Sequence, residues 1–216
     1  MKADTVGAIT PAVLVQLRPG EKILAQHEIM LHMDGPVKVA RKTLKQLGVS
    51  RAHLMGMSAR GDSEEEYYLA EFEGPGNVTF SRDKAGEVRI LDLAPGQVVR
   101  LRSGHLICFD ETVQYYPTVL AQWVVQRGND REIEYLFADQ LTGPGTIVFQ
   151  SYGNILSFTL SPGEAIRTTP EGLLMTTPTN TVQVGWRQNA AALGVPTAQP
   201  VLDVVGPGAI LVHSGV

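Results

Sequence analysis

The chain has 216 residues, 44% of them hydrophobic and 19% charged, with a formal net charge of −4. That length can bury a sizeable core, the composition excludes a largely disordered chain, and the acidic excess argues against a dedicated nucleic-acid binder, which presents a basic face to phosphate. One cysteine, Cys108, excludes an internal disulfide framework and suits a reducing compartment.

The opening MKADTVGAIT lacks the apolar run of a signal peptide, and no window approaches the ~18 consecutive apolar residues of a spanning helix. The expectation is a soluble, cytoplasmic protein with no membrane span. Two phrases then alternate along the chain. Leu17-Arg18-Pro19-Gly20-Glu21 returns as Leu93-Ala94-Pro95-Gly96-Gln97 and Leu160-Ser161-Pro162-Gly163-Glu164. Gly74-Pro75-Gly76 returns as Gly143-Pro144-Gly145 and Gly206-Pro207-Gly208. An ordered set of weak signals repeated three times predicts a single domain over residues 1–216, built of three units at about 15–86, 91–153 and 158–216.

Each unit reads as β structure. Proline presets φ and glycine accepts the rest of a tight turn, so both phrases are read as structural turns. After the first phrase come His27 to His32, Asp34 in a turn, and Val37/Val39. Val39 to Gly48 has apolar residues at helical spacing and a glycine stop, and predicts a short inserted helix. After Gly76 the alternation Val78/Phe80 predicts a half-buried strand, repeated as Ile147/Phe149 and Ile210/Val212. In the second unit Val98, Val99 and Leu101 form a strand. A turn at Ser103-Gly104 and the apolar run Leu106 to Phe109 follow, then Asp110 and Val113/Tyr115. Arg127 to Asp130 joins VLAQWVV to EIEYLF as a long hairpin. The third unit carries Val182/Val184 and a second helix candidate, Trp186 to Gly194. Short strands with turns every ~8–12 residues predict a sandwich or barrel. The fold class expected is all-β: three pseudo-threefold-related β-sandwich or double-stranded β-helix-like units around one shared core, with one or two short helices. The last strand would complete the first unit and close the ring.

The repeated turns and GPG-x-(V/I)-x-(F/V) strands resemble the altered inheritance of mitochondria protein 24 family. The matching segments are Leu17 to Val39, Phe72 to Tyr115 and Leu141 to Val184, with Leu202 to Gly215 closing. The resemblance implies a triplicated relative of the tryptophan RNA-binding attenuation protein fold, and it supplies no catalytic residues. One departure is the stretch from Lys42 to Glu66, which stands where family members carry a glycine-rich segment.

The search for chemistry returns structural readings. The GPG turns lose an amide to proline and lead into strands, whereas a phosphate loop opens a helix. His27 and His32 stand five apart, on opposite faces of a strand. The histidines His27, His32, His53, His105 and His213 include no H-x-H pair for a cupin-like metal centre. His105 aligns with Leu173, and His213 with Gln150 and Ser81, outside the repeated framework. Cys108 reads as a core residue, Asp34 and Asp110 as turn formers, and Glu64-Glu65-Glu66 as a solvated run. Lys38, Arg41, Lys42, Lys45 and Arg51 form a basic cluster, four of them on one face of the expected helix, and could meet a polyanion or an acidic partner.

These residues imply no catalytic group, no metal and no cofactor. The function expected is a non-catalytic β scaffold that binds a protein partner or itself as a homo-oligomer. The alternatives are a small-molecule site or enzyme at one end of the pseudo-threefold axis, or nucleic-acid binding through residues 38–51.

Overall fold

The computed structural model describes residues 1–49, 68–82, 84–127, 130–188 and 198–214, and they are nearly all β. Alternation of buried and exposed residues, broken by proline and glycine turns, gives four antiparallel sheets. The first runs β1 (Lys2–Val6), β2 (Ala12–Leu17), β7 (Gly76–Ser81) and β4 (Met30–Asp34). The second runs β5 (Lys38–Thr43), β6 (Tyr68–Glu73), β3 (Lys22–Ala25), β10 (Leu106–Asp110), β13 (Gly145–Gln150) and β8 (Val88–Leu93). The third runs β11 (Gln114–Arg127), β12 (Asp130–Thr142), β9 (Val98–Arg102), β16 (Leu173–Thr176), β19 (Gly208–His213) and β14 (Ile155–Leu160). The fourth runs β15 (Ala165–Thr168), β18 (Ala198–Val205) and β17 (Thr181–Gln188).

One pairing scheme recurs. The strand before each Leu-x-Pro-Gly turn (β2, β8, β14) pairs with the strand after the next Gly-Pro-Gly turn (β7, β13, β19). That strand in turn pairs with a bulged one (β4, β10, β16). The strand after each Leu-x-Pro-Gly turn (β3, β9, β15) pairs with the one before Gly-Pro-Gly (β6, β12, β18).

The sheets stack in order, and three hydrophobic clusters lie between them in place of the single shared core expected. Val13, Val15, Val78 and Phe80 of the first sheet meet Ile23, Phe72, Ile107 and Cys108 of the second. The opposite face of the second sheet, with Leu24, Leu69, Leu106, Phe109 and Ile147, meets Val99, Leu101, Tyr115 and Leu141 of the third. The third sheet's far face, with Ala121, Trp123, Leu160 and Ile210, meets Leu202 and Val204 of the fourth. In β10 the register shift between Leu106 and Cys108 sets Ile107 and Cys108 toward the same cluster, as a bulge does.

Other expectations change here. Lys38–Thr43 is an edge strand paired along its length with β6. The helical spacing gave way because cross-strand partners satisfy this backbone, and hydrogen-bonded turns follow only from Leu44 to Gly48. Trp186 to Gln188 close β17 opposite Pro200 to Ala198, so the second helix candidate begins as strand, and residues 189–194 lie outside the described residues. The single helix among the described residues is a 3-10 turn, His27–Ile29. The last strand does not close a ring: β19 pairs with β14 and β16 inside its own unit. The hairpin is as expected, with Arg127 opposite Asp130. No helix among the described residues is long and apolar enough to cross a membrane.

Candidate functional site

The two repeated phrases are halves of one device. In each unit the residue after the Pro-Gly, Glu21, Gln97 or Glu164, donates its amide to the carbonyl three residues back. Its side-chain oxygen accepts the amide of that same residue, at 2.8 Å from Arg18, 2.9 Å from Ala94 and 2.9 Å from Ser161. Its own carbonyl then accepts the amide of Gly74, Gly143 or Gly206. Each Gly-Pro-Gly turn therefore rests on a Leu-x-Pro-Gly turn, and the amide of its first glycine is committed to structure.

The carboxylates have similar duties. Asp110 Oδ2 accepts the Thr146 amide at 2.8 Å, and Asp34 Oδ1 accepts the Asn77 side-chain amide at 2.9 Å. Thr177 Oγ1 takes the Ala209 amide in the corresponding place. Asp34 and Asp110 thus anchor separate turns.

The basic cluster is dispersed. Lys38 and Lys42 point to one side of β5, where Lys38 Nζ lies 3.3 Å from Glu73 and Lys42 Nζ lies 3.2 Å from Glu71. Lys22 approaches both glutamates, and Lys38 holds the Glu73 carboxyl below its ordinary pKa. Arg41 stacks over the Tyr68 ring at 4.1 Å, on the other side of the strand. Lys45 follows in the turn, and Arg51 lies outside the described residues.

The histidines separate as well. His32 is exposed on β4, and His53 lies outside the described residues. His105 and His213 are buried beside each other, ring centroids 5.2 Å apart and both within 6 Å of Tyr152. His105 Nδ1 donates to the Gln150 carbonyl at 2.8 Å and His213 Nδ1 to the Tyr152 carbonyl at 2.9 Å. Burial, with His213, Arg102 and Arg82 nearby, lowers the His105 pKa to about 4, so the ring is neutral. His213, Gln150 and Ser81 share one place in the three units, as the sequence suggested, whereas His105 matches Gly172, one residue from the expected Leu173. Cys108 is fully buried, and desolvation pushes its thiol pKa far up. Among the described residues no three of His, Cys, Asp and Glu form a metal-binding group.

What the sequence reading missed lies on the sheet edges. Leu31 is 64% exposed, between the exposed methionines Met30 and Met33, in a strand whose counterparts β10 and β16 are buried. The available signal was the apolar character shared by MLHM, LICF and LLMT. Further exposed apolar residues stand on the long hairpin (Val124, Ile133) and on β14 (Leu156, Phe158).

The family model described as Mitochondrial biogenesis AIM24 matches residues 4–215. A crystal structure of a protein from Streptococcus pyogenes superposes with a TM-score of 0.64 at 18% identity, over 99% of this chain and 93% of that one. No curated protein matches the sequence at a significant level.

Proposed function

The chain belongs to the mitochondrial biogenesis AIM24 family, and on that footing we propose that it is a non-catalytic β scaffold of three repeated units that acts by associating with polypeptide. The observation that carries the reading is where its apolar surface lies: Leu31, Met33, Val124, Ile133 and Phe158 are exposed along strands and at sheet edges. Exposed strands with apolar side chains recruit other strands and sheet faces.

Asp34, Asp110, Cys108 and one ring nitrogen of each buried histidine are otherwise engaged, which supports the same reading. Asp34 and Asp110 hold turns, Cys108 is a core residue whose thiol resists ionisation, and the two buried histidines bond backbone carbonyls. The glutamates of β6 draw the β5 lysines into a neutralised ladder, which speaks against a polyanion site. A single buried thiol and the tryptophan RNA-binding attenuation protein-like repeat suit a cytoplasmic scaffold.

Native mass spectrometry of protein purified from its own host tests this. Expected is a multiple of the chain or a complex with another polypeptide. A single chain carrying a stoichiometric small molecule would overturn the reading.

A further inference from the structure

Resting on the association reading, the geometry points to a specific partner and contact: a second copy of this chain, whose β4 edge pairs antiparallel with the β15 edge of the first. The chain carries its own pattern for that contact. At the centre of the second sheet β3 meets β10, with Cys108 opposite Ala25 and Phe109 opposite Leu24. At the centre of the third sheet β9 meets β16, with Met175 opposite Leu101 and Thr176 opposite Arg100. Both junctions join the strand that follows a Leu-x-Pro-Gly turn to the bulged strand of the next unit.

β4 is the remaining bulged strand. Its register shift falls between Met30 and His32, as the others fall between Leu106 and Cys108 and between Leu173 and Met175. β15 is the remaining strand after a Leu-x-Pro-Gly turn. Each ends its sheet, and neither pairs with the other among the described residues.

Burial marks the difference. In β10 the first four residues are buried and in β16 all four are, whereas all five residues of β4 are exposed. β15 alternates exposed and half-buried residues, where β3 has three buried in a row. Free edges are normally guarded by charge, as β5 is by Lys38, Arg41 and Lys42. β4 reads Met-Leu-His-Met-Asp and presents its apolar side chains to water.

The register follows from the two internal junctions. Ala25, Leu101 and Thr168 each stand five residues after the turn glycines Gly20, Gly96 and Gly163. His32, Cys108 and Met175 each lie across from the third residue after the second glycine of Gly-Pro-Gly, namely Thr79, Val148 and Leu211. The intermolecular junction therefore sets His32 opposite Thr168 and Met33 opposite Arg167. It joins the fourth sheet of one copy to the first sheet of the next, extending the pattern of the two interior sheets. Donor and acceptor edges differ, so the contact is head-to-tail and propagates until it closes on itself.

The test is cross-linking. Facing residues of an antiparallel pair lie within disulfide reach, and the native Cys108 is buried away from them. A mixture of His32→Cys and Thr168→Cys single variants, mildly oxidised, should give a disulfide-linked dimer, and the double variant a ladder of linked chains. Leu31→Lys should reduce the native mass to one chain with an unchanged melting temperature. An oligomer that forms no such disulfide and keeps its mass in Leu31→Lys overturns the edge contact while leaving association standing. A disulfide closing inside one chain also overturns the edge contact. A wild-type protein that is a single chain without polypeptide partner overturns both.

Discussion

Gly74, Gly143 and Gly206 each stand where a methyl group has no room. A Cβ on Gly143 would collide with the Ala94 carbonyl oxygen, and one on Gly74 or Gly206 with that of Arg18 or Ser161. The obstacle is backbone of the adjoining turn, which cannot swing aside. Gly143→Ala should therefore lower unfolding free energy by about 1–3 kcal/mol, the usual cost of forced overpacking. Urea denaturation measures it, and a midpoint within error of wild type would deny that the two turns rest on each other. The sequence held both phrases in plain view, but their mutual contact depends on a chain reversal of some fifty residues that no local pattern encodes.

His105 provides a second test at the same scale. Its folded pKa of about 4 lies below the ordinary 6.5. The unfolded chain thus binds the proton more readily, and the stabilisation is complete above pH 6.5 and lost as pH falls toward 4. The 2.5-unit difference corresponds to about 3 kcal/mol at full expression. His105→Gln, which retains a donor for the Gln150 carbonyl, removes the titration. Stability measured from pH 7 to pH 4 should fall by about 3 kcal/mol more in wild type than in the variant. Parallel curves would mean that the ring is protonated without penalty. Nothing in the sequence paired His105 with His213, because they are more than a hundred residues apart and meet only in the fold, beside Gln150 at the end of β13 and the Tyr152 that follows it.

Among elements, strands with a buried alternation were legible, and the stretch read as an amphipathic helix was not. Val78/Phe80 and Ile147/Phe149 fall at period two because each points into a cluster between sheets. The positions of Lys38, Arg41 and Lys42 in β5 and of Lys45 in the turn after it satisfy helical spacing equally well. What decides is β6, which pairs antiparallel with the whole length of β5 and places Glu73 opposite Lys38 and Leu69 opposite Lys42. The tertiary partner overrides a propensity that differs little between the two states. β4 was hidden for a related reason. An apolar strand reads as core, and the apolar character of Met30, Leu31 and Met33 does not distinguish a buried strand from one exposed at a sheet edge.

At the scale of the whole molecule the stacking has a mechanical consequence. The second sheet contributes one face to the first cluster and the other to the second, since adjacent residues such as Ile23 and Leu24 point to opposite sides. The third sheet likewise joins the second cluster to the third. Loosening one cluster thus exposes strands that hold the next. Phe80 is fully buried in the first cluster, edge-to-face with Phe72 at 5.5 Å. Trp123 lies in the third cluster, two sheets away. Phe80→Ala should remove about 3–5 kcal/mol, and both backbone circular dichroism and tryptophan fluorescence should report the same lowered midpoint. Carrying out the measurement in the Leu31→Lys background keeps contacts between copies from linking the two ends. If fluorescence keeps the wild-type midpoint while circular dichroism falls, the sheets unfold one by one and the three units are separate domains joined at their edges. A shared shift instead requires free energy to pass through β3 and β10, then β9 and β16, the same strand pairs whose pattern leaves β4 and β15 unmatched.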